Sequence, residues 1–316
     1  MQRRRVGSSG LEVSRIGLGT MTWGESTEAE VATAQLTAFV EAGGTLVETA
    51  DGYGDGSAQE VLGEVLAGSV SRDQLVIAGR STLPDGALGD GAARGALLSG
   101  LDATLKRIGT DHLDLWQLPG FDAEVPLDET LSAVQVAVLA GKVRYAGLVA
   151  PQGWQLATVA ERARALGNIT LPASAQVEYS LLARAVEVEL LPAARHHGVG
   201  LLAWAPLGRG VLTGKYADGT PADSRAASPA LAPYVEARRN ERSARIVQAV
   251  LTAADGLGTS PLAVALAWVR DRPGVAAAVV GARDAAQLAA SMATESVTLP
   301  AEIRSALDDV SATATV

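Results

Sequence analysis

A chain of 316 residues, 48% hydrophobic and without cysteine, is long enough to bury a large core and carries neither a disulfide framework nor a thiolate metal site. Its formal net charge of −9 argues against a surface for nucleic acid or anionic lipid, which needs clustered Lys or Arg, and leaves a small-molecule substrate as the expected partner. No apolar run approaches the roughly 20 residues of a membrane span, and MQRRR is followed by VGSSGLEVSR rather than by an apolar export signal, so a cytoplasmic location is expected.

The first stretch, RRRVGSSGLEVSRI, reads as a hairpin. Short apolar or β-branched runs then alternate with helical patterns, the signature of a parallel sheet. IGLGT (16–20) precedes EAEVATAQLTAFVEAG, TLVETA (45–50) precedes SAQEVLGEVLAG, and QLVIAG (74–79) precedes DGAARGALLSGLDATLKRIG. LDLWQL (113–118), VRYAGLV (143–149) and ASAQVEY (173–179) each lead into a further helical pattern, and VGLLAWA (199–205) and GVAAAVVG (274–281) complete the set. Eight units with no break in composition predict one domain over residues 1–316, a single (β/α)8 TIM barrel with an N-terminal β-hairpin. The connection over 206–240, rich in Gly, Pro, Ser and Ala, exceeds ordinary loop length and predicts a functional loop over the mouth after strand seven.

A barrel of this kind carries its active site at the C-terminal ends of the strands. Strand two leads into ETADGYGDGS, which places Glu48, Asp51 and Tyr53 there; strand three ends at Arg80 and strand four at Pro119. A carboxylate, a phenol and a guanidinium at one mouth can form an ion pair beside a proton-donating hydroxyl, although the same three residues also suit a structural ion pair next to a packed tyrosine. Trp23, near the end of strand one, is a candidate for lining a substrate pocket. His196 and His197 close a helical pattern with no third ligand in the sequence, so they are read as partners of the helix C-terminus, and no metal is expected.

The blocks GLEVSRIGLGTMTWG, ETADGYGDGSAQEVLG, IGTDHLDLWQL, GKVRYAGL, QVEYSLLAR, WAPLGRGVLTGKY and VVGARDAAQL, in this order from Gly10 to Leu288, resemble the successive signatures of the aldo-keto reductase superfamily. The resemblance implies an NADPH-dependent carbonyl reductase barrel that uses an aspartate, a tyrosine acid, a lysine and usually a histidine. Carried over by position, the tyrosine is Tyr53, the aspartate has become Glu48, the lysine Arg80 and the histidine Pro119. Arg is bulkier than Lys and does not deprotonate, and Pro offers no donor, so the implied catalytic set is degenerate.

The resemblance also implies NADP(H) sites. A Ser-Asn pair that anchors the nicotinamide carboxamide is replaced by Val149 and Ala150, while Gln176 is kept. Ala205, Pro206, Leu207 and Gly210 correspond to the pyrophosphate loop; Gly281, Arg283 and Gln287 correspond to the adenosine end, where Arg283 suits a 2′-phosphate. Ala290 and Ser291 stand where an acidic and an amide residue would hold adenine. Three functions follow as expectations. One is a barrel repurposed for non-redox acid–base chemistry on a small metabolite, with NADP(H) still bound. A second is a reductase with a variant Glu48-Tyr53-Arg80 site, and a third is a non-catalytic ligand-binding or partner protein.

Overall fold

Strands β1 (Arg3–Arg5) and β2 (Glu12–Ser14) form the expected hairpin, with Arg4 opposite Val13. Eight parallel strands follow: β3 (Ile16–Gly19), β4 (Leu46–Ala50), β5 (Val76–Arg80), β6 (Leu113–Leu118), β7 (Val143–Val149), β8 (Ser174–Glu178), β9 (Gly200–Trp204) and β10 (Val275–Val280). Each pairs with its neighbour, and β10 closes on β3 through Ala278 and Ile16, so the sheet is a closed barrel. The computed structural model describes residues 1–82, 92–167, 172–217, 219–222, 224–229 and 232–312.

Helices α1 (Ala29–Glu41), α2 (Ser57–Gly68), α3 (Arg94–Ile108), α4 (Leu127–Leu139), α5 (Gly153–Ala165) and α6 (Leu190–His197) each connect one barrel strand to the next. Between β9 and β10 lie α7 (Ala232–Glu236), α8 (Glu241–Leu257) and α9 (Pro261–Arg270), and after β10 come α10 (Ala285–Ala293) and α11 (Ala301–Ser311). The architecture is the (β/α)8 barrel that the alternating pattern implies. Among the described residues no single helix is long and apolar enough to cross a membrane.

Most boundaries shift by a residue or a few from the sequence reading, and two of the shifts have a clear local cause. Strand three begins at Val76 because Arg72–Gln74 form a 3-10 turn capped by Ser71 and Gln74, and it includes Arg80. The sixth helix starts at Leu190, with Ala185–Glu187 in a separate short turn, and Pro192 falls within its first turn, where a missing N–H costs little. Part of the pattern ahead of α3, residues 83–91, lies outside the described residues, as do several positions of the 206–240 connection.

The hairpin closes one end of the barrel. Val6, Leu11 and Val13 pack against Leu46, Ala78, Leu115 and Leu202 from the inner faces of β4, β5, β6 and β9, and Ser8 donates its backbone N–H to Gly198 just before β9. Gly7, at φ +59, permits this approach, since a Cβ there would meet Gly198 O at 2.1 Å. The hairpin thus covers the N-terminal ends of the strands and leaves the C-terminal ends as the mouth.

A half-buried polar network ties α11 to the barrel wall. Glu187 accepts hydrogen bonds from Tyr179 Oη at 2.6 Å, from Arg184 and from Arg272, and Arg272 also reaches Asp308 at 2.9 Å. Burial raises the Glu187 carboxyl, but hydrogen bonds from Arg184 and Tyr179 outweigh it and hold the group below the ordinary carboxylate value. Asp271 is opposed by burial in the same way and is held down by Arg270 and Arg4. Groups depressed in the native state stabilise it fully above their unfolded values, and that stability is lost as pH falls through the native ones. Glu187→Gln is therefore expected to flatten the fall in Tm between about pH 5 and pH 3 in scanning calorimetry. Equal slopes for wild type and variant would show that the network does not carry the acid sensitivity.

Candidate active site

Side chains two residues apart on a strand share a face. Leu46, Ala78, Leu115 and Leu202 point into the barrel, so the next inward positions are Glu48, Arg80, Gln117 and Trp204. On the inner faces of four strands an apolar layer thus gives way to a polar or aromatic one. That switch marks the mouth, and it is readable in the sequence once the register is known.

Glu48 is 2% exposed. Its carboxylate accepts the Tyr53 hydroxyl at 3.0 Å to Oε1 and 3.3 Å to Oε2, and Gln176 Nε2 donates to Oε1 at 2.8 Å. Tyr53 reaches back over Glu48 because the chain turns into a 3-10 segment, Tyr53–Gly56, in which Gly54 and Asp55 take left-handed conformations. The Arg80 guanidinium carbon lies over the Tyr53 ring, 5.1 Å from its centroid. Arg80 thus meets the phenol through its π face and makes no salt bridge with Glu48 among the described residues. The expected ion pair is replaced by a phenol–carboxylate–amide chain beside a stacked cation. Asp51 is engaged elsewhere, accepting from Thr82 N at 2.9 Å and Thr82 Oγ1 at 2.6 Å.

Four buried polar atoms on inward positions of the barrel strands have no hydrogen-bond partner: Arg80 Nε, Gln117 Oε1, Gln176 Oε1 and Trp204 Nε1. All four stand at the level of Glu48 or beside it, at the mouth. Buried polar groups are nearly always paired, so such a concentration is a feature of a ligand site.

Beyond Gln117, the chain leaving β6 and β7 presents mainly apolar residues. Pro119, Gly120, Phe121, Val149 and Pro151 line one small cavity, and Phe121 meets Trp154 edge-on with centroids 5.3 Å apart. Val149 is paired in register with Gln176 and offers no polar atom beside it. Ala150 sits at φ 45°, a left-handed conformation that Asn and Gly adopt more readily.

Trp23, expected at a substrate pocket, is fully buried, and its indole donates to Gln35 Oε1 at 3.0 Å. It is a core side chain with no surface for a ligand, because the turn after β3 folds it inward against α1. Trp204 and Gln117 were not singled out in the sequence, although alternation along their strands would have found both. His197 is lowered by burial and lies 3.4 Å from Glu161; among the described residues no group of three ligating side chains suits a metal.

After β9 the chain makes a tight loop in which Ala205, Gly208, Arg209 and Gly210 all have positive φ. Gly208 N–H returns to Ala205 O and Gly210 N–H to Leu207 O. At Gly208 a Cβ would lie 2.7 Å from Leu182. At the end of β10, Gly281 is exposed, Gln287 Oε1 accepts the Arg283 N–H at 3.2 Å, and Asp284 caps α10 through Gln287 N–H. Ser291 donates its hydroxyl to Gln287 O.

Residues 15–312 match the family model described as the Aldo/keto reductase family. The chain belongs to that family. It is similar, at 34% identity over 98% of its length and 96% of the relative's, to a Bacillus subtilis (strain 168) protein named "Uncharacterized oxidoreductase YrpG". The Escherichia coli (strain K12) "L-glyceraldehyde 3-phosphate reductase" is 34% identical over 91% of this chain and 86% of its own. A "Probable voltage-gated potassium channel subunit beta" from Oryza sativa subsp. japonica is 31% identical over 92% of this chain and 90% of its own.

Aldo/keto reductases typically use NADP(H), and the residues of this family member fit that group unevenly. Gln176 keeps one buried, partnerless acceptor toward a carboxamide, while Val149 and Ala150 add nothing there. The left-handed loop at Ala205, Pro206, Leu207 and Gly210 gives a pyrophosphate close backbone approach. Arg283, half-buried with Gly281 and Gln287 beside it, would hold the adenosine end of such a group.

Proposed function

We propose that this aldo/keto reductase family member holds NADP(H) mainly through its phosphates and uses Tyr53 and Glu48 for non-redox acid–base chemistry on a small metabolite, ordinary carbonyl reduction being weak. The observation that carries this proposal is the chain from Tyr53 through Glu48 to Gln176. Carbonyl reduction needs a donor aimed outward at the developing alkoxide; here the phenolic proton points at a buried carboxylate. NADPH, when bound, would supply hydride. This chain's own residues hold the nucleotide through the loop after β9 and through Arg283, and they move a proton between Tyr53 Oη and a Glu48 oxygen. Pro119 has neither a side-chain donor nor an N–H with which to polarise a substrate carbonyl. Arg80 keeps positive charge at the ring face and effectively never deprotonates, so it cannot relay a proton as a lysine can.

A second function, NADPH-dependent carbonyl reduction through a variant Glu48-Tyr53-Arg80 site, is favoured by the 34% identity to a protein named a reductase and by the retention of Tyr53. The two are separated by NADPH oxidation measured across a panel of aldehydes and ketones. Only slow NADPH oxidation, unchanged in Tyr53→Phe, is expected with wild type. Turnover abolished by Tyr53→Phe would establish the reductase instead.

A further inference from the structure

Arg80 ends β5 on an inward position and is half-buried, with its guanidinium carbon 5.1 Å from the Tyr53 ring centroid. Among the described residues the guanidinium makes no salt bridge and no hydrogen bond, and its Nε is buried without a partner. Other arginines packed on the barrel are matched by carboxylates: Arg72 by Asp114 at 2.7 Å, Arg184 by Glu187 at 2.8 Å and Arg272 by Asp308 at 2.9 Å. Carboxylates are not lacking beside Arg80 either. Its register partner on β4 is Ala50, and the acidic residues that flank Ala50 are turned to other groups: Glu48 to Tyr53 and Gln176, Asp51 to Thr82.

A guanidinium lying over a ring has its position fixed and keeps its N–H donors for an acceptor from outside the stack. Room for one is left on the β6 side. Gln117 is the register partner of Arg80 there, and the residues that follow β6 are Pro119 and Gly120. A Cβ built on Gly120 would meet nothing nearer than Val149 O at 3.9 Å. On β9, the indole Nε1 of the inward Trp204 is a second buried donor without an acceptor. A half-buried cation without a counter-ion has lost hydration that an arriving anion replaces.

We infer that Arg80 is a substrate-recognition residue that takes a carboxylate, so that the metabolite entering this mouth is a small carboxylic acid. One guanidinium offers one planar edge and one positive charge, which match a carboxylate monoanion better than a phosphate dianion. This rests on the proposal that Tyr53 and Glu48 act on a small metabolite, and it names that metabolite's class. Because the guanidinium lies over the Tyr53 ring, an acid paired with it is held beside the phenol whose proton Glu48 accepts.

The test is an NMR titration of the full chain with acetate, benzoate and phenylacetate, each against its neutral amide, in wild type, Arg80→Met, Arg80→Gln and Arg80→Lys. No nucleotide is added, so the only charge offered to the acid is the protein's own. Wild type should bind each acid about 10- to 100-fold more tightly than its amide. Arg80→Met and Arg80→Gln should lose that preference, and Arg80→Lys, which keeps the charge without the fork, should retain part of it. Affinity for the amides should stay within about threefold in all four chains, because a neutral ligand gains little from the charge. A variant that has lost its fold loses the amides too; melting curves identify it, and the remaining variants then decide. Equal affinity of wild type for acid and amide overturns the inference. So does an acid preference that survives in Arg80→Met and Arg80→Gln, or wild type that binds none of the acids. The non-redox reading fails separately: NADPH oxidation that Tyr53→Phe abolishes overturns it and leaves carboxylate recognition by Arg80 standing.

Discussion

Glu48→Asp, Arg80→Lys, Pro119→His, Val149→Ser and Ala150→Asn, combined in one chain, are expected to raise NADPH-dependent aldehyde reduction by about 10²- to 10⁴-fold over wild type. Pro119→His alone should stay within about tenfold of it, because an imidazole can polarise a carbonyl only if the hydride donor is oriented and a proton is deliverable. Shortening Glu48 withdraws the carboxylate that now accepts the Tyr53 hydroxyl at 3.0 Å. Lys in place of Arg80 exchanges a ring-stacked fork for a point donor able to reach the phenol oxygen. Ser and Asn at 149 and 150 put polar groups beside Gln176, whose Oε1 already lacks a partner. Asn at 150 also suits φ 45° and should add about 0.5 kcal/mol of stability, measurable in the single variant by denaturant titration. High reductase activity in Pro119→His alone would mean that the other four changes are not limiting.

Glu48→Gln is expected to stabilise the fold by about 1–2 kcal/mol while lowering acid–base turnover about 10²- to 10⁴-fold. Glu48 is a buried carboxylate whose partners are a phenol and an amide, with no ion pair among the described residues. Burying a charge without a cation costs free energy that a neutral isostere does not incur, and the Gln oxygen can still accept a hydrogen bond. A rise of several degrees in Tm is the readout. A fall in Tm would show that the ionised group contributes to stability and that its burial is structural.

Much of the fold was readable because its signals are local. Each barrel strand is a short apolar run with turn residues at its ends, and the hairpin and the helices after strands one, two, four and five fall within a few residues of their patterns. The catalytic neighbourhood was readable in part. Glu48, Tyr53 and Arg80 lie at the ends of adjacent strands, so that adjacent pairing brings them together. Gln176 is 128 residues from Glu48, and only barrel closure makes them partners. Chemistry alone suggested an acid–base ion pair, whereas the longer Arg side chain passes over the ring of Tyr53 instead. Trp23 was misplaced because an aromatic residue after a strand has the same local pattern whether it turns inward or faces the mouth.

In the proposed function the nucleotide is held mainly by its phosphates, with little contribution from the nicotinamide end. Calorimetric Kd values for NADP+ and for 2′-phospho-ADP-ribose, which lacks the nicotinamide, test it most directly. The expected result is that both bind, with Kd values within about threefold of each other, since the missing hydrogen bonds at Val149 and Ala150 leave the ring little to contribute. NADP+ binding more than about tenfold tighter, a difference of roughly 1.4 kcal/mol, would contradict it. So would the absence of binding by both.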